Sequence, residues 1–287
     1  MNGCFCKDKI TEIDKTSIYY PSEWKKLSGA PETLYGVGDI SLLQTQKFAV
    51  VGSRKIAPSI AKLTQNTASE LSQAFTLVTG VADGGDLAVI EGVLKGSGRV
   101  ICVLPAGFSA LPQTNLATLE RVAKRGLVLS ASPYEESVRN YSYEYRNKLL
   151  ARLSLGGLIV SAGEKSGTLI TAKYLKEQDK KIFAFPYPPN APDGVGCNAL
   201  IKAGGILTES AEDIFTAFGV EVTKKQRLVL SETEEKIVAV LQEYGELHIT
   251  ELSEKSGVAP FKARAILSAL EVKGAVVSVG GNRYSPV

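Results

Sequence analysis

The chain has 287 residues, 44% of them hydrophobic and 22% charged, with a net charge of +3. Those proportions suit an ordinary globular protein, and the length allows one large domain or a main domain plus a small one. No apolar run reaches the roughly 18 residues of a membrane helix, the N-terminus lacks a signal-peptide pattern, and a cytoplasmic location is expected.

One histidine, His248, excludes any mechanism that needs two imidazoles. The four cysteines, Cys4, Cys6, Cys102 and Cys197, are too scattered for a disulfide framework or a zinc site.

Residues 1–46 read as a lead-in segment, and YYPSEWKKLSGAPETLYGVGD (19–39) has the Pro and Gly punctuation of loops and short helices. Six short apolar runs follow at 47–52, 75–80, 99–105, 127–132, 156–162 and 181–186, their starts 24 to 29 residues apart. That interval is one β-α unit. Most of these runs are continuous rather than alternating, the mark of parallel strands covered on both faces. The expected architecture is therefore a doubly wound α/β domain over 47–218, with ligands at the C-terminal ends of its strands.

Four segments fall at those strand ends. In KFAVVGSRK (47–55) the strand breaks at Gly52-Ser53, and Arg54 stands where the next helix is expected. Glycine lets a backbone approach an anion, the Ser53 and Arg54 N–H groups would face it, and Arg54 could grip a phosphate bidentately. TGVADGGD (79–86) is a second strand-to-helix turn, in which Asp86 reads as a helix N-cap. RNYSYEYRNKLLARLS (139–154) interleaves Arg139, Arg146, Lys148 and Arg152 with three tyrosines, a composition suited to tracking a backbone and stacking bases. In GEKSGTLITAKYL (163–175), Gly167 and Thr168 open a helix beside the hydroxyls of Ser166 and Thr171.

Residues 219–230 read as a linker, and 231–287 as three helices followed by a hairpin turning at Gly280-Gly281-Asn282, a winged helix. A capping box of Ser231 and Glu234 opens it. Residues 228–287 hold six Lys/Arg against eight Glu, net −2, so the first 227 residues hold 27 basic against 22 acidic, net +5. A polyanion would therefore favour the large domain, and the acidic winged helix is expected to contact protein.

In order and spacing, the lead-in, VVGSR, TGVADGGD, YRNKLLARLS, SGTLITAKYL and GCNALIKAGGILTESAEDI resemble the successive signatures of the DNA-processing protein A family (DprA, also called Smf). The resemblance covers residues 19–287. It implies an extended Rossmann fold that binds single-stranded DNA as a homodimer, needs no cofactor, and hands DNA to the recombinase RecA in natural transformation. Carried over, the DNA-binding residues would be Gly52, Ser53 and Arg54; Arg146, Asn147 and Lys148; and Ser166, Gly167 and Thr168.

The chain departs from the family pattern at Asp83, usually basic; at Gly85, usually isoleucine; and at Ile90, usually histidine. It departs again at Ala131 and Ser161, where glutamates are usual. Several of these changes are expected on the pocket rim. A second reading makes the fold an N-glycosidic hydrolase like the "Lonely guy" phosphoribohydrolases, with Asp86 or Glu164 assisting cleavage. The P-G-G-x-G-T-x-x-E signature of those enzymes is absent, with only SGTLIT in its place.

Overall fold

A computed structural model describes residues 5–111, 113–221, 230–273 and 275–286. Cys4 and most of the expected linker, 222–229, lie outside the described residues. The chain divides into two compact units, Met1–Val222 and Thr223–Val287.

The large unit runs β1 (Thr11–Asp14), α1 (Ser22–Lys25), β2 (Thr33–Gly38), β3 (Lys47–Gly52), α2 (Pro58–Leu71), β4 (Thr76–Thr79), α3 (Gly85–Lys95) and β5 (Val100–Val103). It continues with α4 (Leu116–Ala123), β6 (Leu127–Ser130), α5 (Ser142–Leu153), β7 (Gly156–Ser161), α6 (Thr168–Lys176), β8 (Lys181–Ala184), α7 (Val195–Lys202), β9 (Ile206–Leu207) and α8 (Ala211–Phe218). Its nine strands form one sheet in the order β1-β2-β6-β5-β4-β3-β7-β8-β9. From β6 to β9 every neighbouring pair is parallel.

The six apolar runs are β3 to β8, and five of these strands are buried along their whole length. Helices cover both faces. Phe48, Val50, Leu77, Val89 and Phe183 belong to one core, and Ala49, Val51, Val78, Leu149 and Ile159 to the other. The chain winds outward from β3 through β4, β5 and β6, then returns with β7 to the far side of β3. That reversal opens a crevice between the ends of β3 and β7, where ligands of doubly wound sheets bind.

The lead-in differs from the expectation of loops and short helices. It supplies β1 and β2, which extend the sheet antiparallel from β6. The strand TLYGVG alternates buried and half-exposed residues, and Gly36 and Gly38 interrupt its β signal. Trp24 anchors this segment: it is fully buried, and its indole N–H donates to Leu149 O at 3.0 Å. Trp24→Phe leaves that carbonyl without its partner and part of the site unfilled. A loss of about 1–2 kcal/mol in urea unfolding is expected.

The small unit contains α9 (Glu232–Tyr244), β10 (Leu247–His248), α10 (Ile249–Ser256), α11 (Pro260–Val272), β11 (Val276–Gly280) and β12 (Arg283–Pro286), with the sheet order β10-β12-β11. Its core gathers Ile237, Leu241, Leu252, Leu267 and Leu270. Ser231 and Glu234 make the capping box, Ser231 N donating to Glu234 Oε2 at 2.7 Å.

Candidate nucleic-acid interface

The turns after β3 and β4, the start of α5 and the turn before α6 surround a cleft of about 250 Å³ at the β3/β7 crevice. Gly52, Ser53, Arg54, Asp86, Arg146, Asn147, Ser166, Gly167 and Thr168 all line it. The expected residues from three separate segments are thus neighbours. Lys148 and Glu164 are not among the lining residues. Lys148 follows Arg146 by two positions, which turns it about 200° around the helix and away from the cleft.

The turn after β3 works differently from the expectation. Gly52 N donates to Asp86 Oδ1 at 3.3 Å, and Ser53 N donates to Ser161 O at 3.1 Å. Of the two N–H groups expected to face an anion, those of Ser53 and Arg54, the first is thus already used. Gly52 is needed for packing: a Cβ there would lie 2.9 Å from Gly85 Cα and 2.6 Å from Val160 Cγ2. The following helix begins only at Pro58, so Arg54 does not sit at a helix N-terminus. Arg54 is exposed instead, its guanidinium 5.2 Å from the ring centroid of Tyr143. It makes no ion pair among the described residues.

Asp86 is not an N-cap. Gly84 occupies that position, and Asp86 is buried in the first turn of α3. It accepts from Gly52 N and from Ala82 N, both at 3.3 Å, and so joins the two turns. Arg146 is its buried counter-charge. Gly80 lies between them: a Cβ there would fall 2.1 Å from Arg146 Nη1 and 2.2 Å from Asp86 Oδ2. Burial pushes the Asp86 carboxyl above its usual range and the Arg146 guanidinium below its own, each shift partly offset by the other charge.

Arg146 donates from Nε to Asn147 Oδ1 at 2.9 Å and from Nη1 to Val103 O at 3.0 Å. Its guanidinium also lies 5.9 Å from the Tyr143 ring. Asn147 Nδ2 reaches Gly167 O at 3.2 Å, so this side chain fastens Arg146 to the turn before α6. There the Ser166 hydroxyl lies 3.2 Å from that of Ser53 and donates to Thr168 Oγ1 at 3.0 Å. Gly167 precedes the first residue of α6, as the sequence led us to expect.

Of the departures from the family pattern, only Asp83 lies on the rim, where it lines a second cleft beside the first. Ile90 belongs to the core, Gly85 is buried against Gly52, and Ser161 is buried with its hydroxyl on Asp193 O. The two carboxylates of the glycosidase reading are not brought together: Asp86 is enclosed beneath the turns, and Glu164 is exposed away from the cleft. Among the described residues, no three His, Cys, Asp or Glu side chains gather as a metal site. No helix among them is long and apolar enough to cross a membrane.

Sequence reasoning did not single out Gly80. Its signal was available as a glycine closing an apolar run, but of the two side chains it makes room for, Asp86 and Arg146, the second is far away in sequence.

Comparison with known proteins bears on the family and the fold. The profile of the family described as DNA recombination-mediator protein A matches residues 11–219. The DNA processing protein DprA of Bacillus subtilis is 32% identical over 209 residues, 72% of this chain and 70% of its own length. That of Streptococcus pneumoniae is 31% identical over 202 residues, 69% and 71% of the two chains. The X-ray structure of the S. pneumoniae protein matches at a TM-score of 0.69 and 29% identity, over 72% of this chain and 74% of that one. A Helicobacter pylori DprA structure, described for its single-stranded DNA binding mode, matches at a TM-score of 0.66 and 27% identity. It covers 73% of this chain and 95% of that one.

Proposed function

Because the chain belongs to the DNA recombination-mediator protein A family, we propose that its large unit binds single-stranded DNA by the backbone, with a phosphate in the β3/β7 cleft. The observation that carries this reading is Arg54, an exposed guanidinium without an ion pair among the described residues, held on Tyr143 beside the Ser53, Ser166 and Thr168 hydroxyls.

Arg54 would take two phosphate oxygens, and the Thr168 hydroxyl, which accepts from Ser166 and keeps its own hydrogen, would donate to another. Arg146 adds positive charge from below, and Asn147 positions it. Tyr143, 40% exposed, offers a face on which a base can stack, which duplex DNA would not present.

Met1–Val222 holds 24 Lys/Arg against 22 Asp/Glu, net +2, which is compatible with a polyanion on this unit. The small unit is better suited to protein. Thr223–Val287 holds nine Lys/Arg against eight Glu, net +1, and α11 exposes Phe261 at 75% and Val272 at 91%. A homodimer that passes the bound strand to a recombinase such as RecA completes the reading and gives the protein a role in DNA uptake and recombination.

The test is a fluorescence-anisotropy titration of a labelled single strand at several salt concentrations. Two phosphate-facing cations predict a log–log salt slope of about −1.4, or roughly sevenfold weaker binding at 200 mM than at 50 mM. No binding by the folded protein, or binding indifferent to salt, would contradict the proposal.

A further inference from the structure

The cleft of about 280 Å³ beside the phosphate cleft shares Arg54, Ala82, Tyr143 and Arg146 with it. Its remaining wall is largely apolar, with Leu104, Pro105, Ala106, Leu111 and Val138. A pocket with one aromatic face, an apolar wall and a phosphate site across a shared partition has the chemistry of a nucleobase subsite. Its polar groups then decide which base edge fits.

Beside the Thr114 hydroxyl and Asn115 Oδ1, several of those groups are already occupied. Asn115 Nδ2 donates to Val81 O at 2.7 Å, and Arg146 commits Nε and Nη1 to Asn147 and Val103. Asp83 is exposed on the rim and forms no ion pair or hydrogen bond among the described residues, although Arg54 lines the same cleft. Its turn is fastened on both sides, by Ala82 N on Asp86 and by Gly85 N on Ser53 O at 2.9 Å. A carboxylate on a fastened turn at the mouth of a base-sized cleft can only accept hydrogen bonds.

We infer that Asp83 selects the base in this cleft, favouring bases that present an exocyclic amino group over those that present a carbonyl at the same position. The inference rests on the single-strand reading above. Cytosine N4 is such a donor, and uracil and thymine offer O4, an acceptor that a carboxylate repels.

Oligo-dC and oligo-dU of equal length differ chiefly at this edge, so their affinities isolate the effect. The wild type is expected to bind oligo-dC about fivefold tighter than oligo-dU, the lower end of discrimination by a base-edge contact. In Asp83→Asn the amide both donates and accepts, and the ratio should fall to near one while both affinities rise as a negative charge is lost. Arg54→Ala should weaken both oligomers equally and leave the ratio in place. Equal affinities in the wild type, or a preference that survives Asp83→Asn, would overturn the inference while leaving single-strand binding intact. Failure of the wild type to bind either oligomer would overturn both.

Discussion

Asp86→Ala is expected to destabilise the large unit by about 3 kcal/mol, the cost of stranding one partner of a buried charge pair. Arg146 is only 6% exposed and sits opposite Asp86 across Gly80. Without the carboxylate its guanidinium stays buried with no counter-charge, and Gly52 N and Ala82 N lose their acceptor. Domains of this kind have about 5–15 kcal/mol in total, so the change is a large fraction of the whole. Asp86→Asn keeps an acceptor for the two N–H groups and should cost less.

The pH dependence separates charge from shape. Burial raises the Asp86 pKa in the folded protein, so folding favours its protonated form. Its contribution to stability is present in acid and is lost as pH rises from the ordinary carboxylate range through the raised value. The wild type should therefore lose stability relative to Asp86→Asn over that rise. Urea unfolding can be followed by the fluorescence of Trp24, the only tryptophan. A loss below about 1 kcal/mol in Asp86→Ala would show that the pair does not hold the turns.

Arg54→Ala is expected to leave stability nearly unchanged, within about 0.5 kcal/mol for an exposed side chain. Single-strand binding should nevertheless weaken by about 10- to 100-fold, the range for losing charge-assisted hydrogen bonds. Arg54→Lys should recover only part of the loss, because an ammonium replaces the bidentate fork with a point charge and stacks less well on Tyr143. Fold and affinity are thus separable: Asp86 is expected to act on the first and Arg54 on the second.

The strands β3 to β8 were legible because burial on both faces writes a continuous apolar run into the sequence. Those of the lead-in were not, since β2 is broken by two glycines and β1 is only four residues long. At the site, the motifs located the turns but not the destinations of their hydrogen bonds. The Ser53 N–H looked ready for an anion, yet it goes to Ser161 O, whose nearness only the closed sheet reveals. Lys148 belonged to the same basic stretch as Arg146, and helical phase separated them. Asp83 was legible as a departure from the family pattern, but its setting in a second cleft was not.

The most direct test of single-strand binding through the β3/β7 cleft is an anisotropy titration of a labelled, mixed-sequence single strand with wild type and Arg54→Ala, each shown to be folded by its urea transition. Tight binding by the wild type that weakens with salt, and that falls about 10- to 100-fold in the variant, is the predicted result. Equal binding by the two proteins would contradict the account, because the phosphate would then lie somewhere other than the cleft.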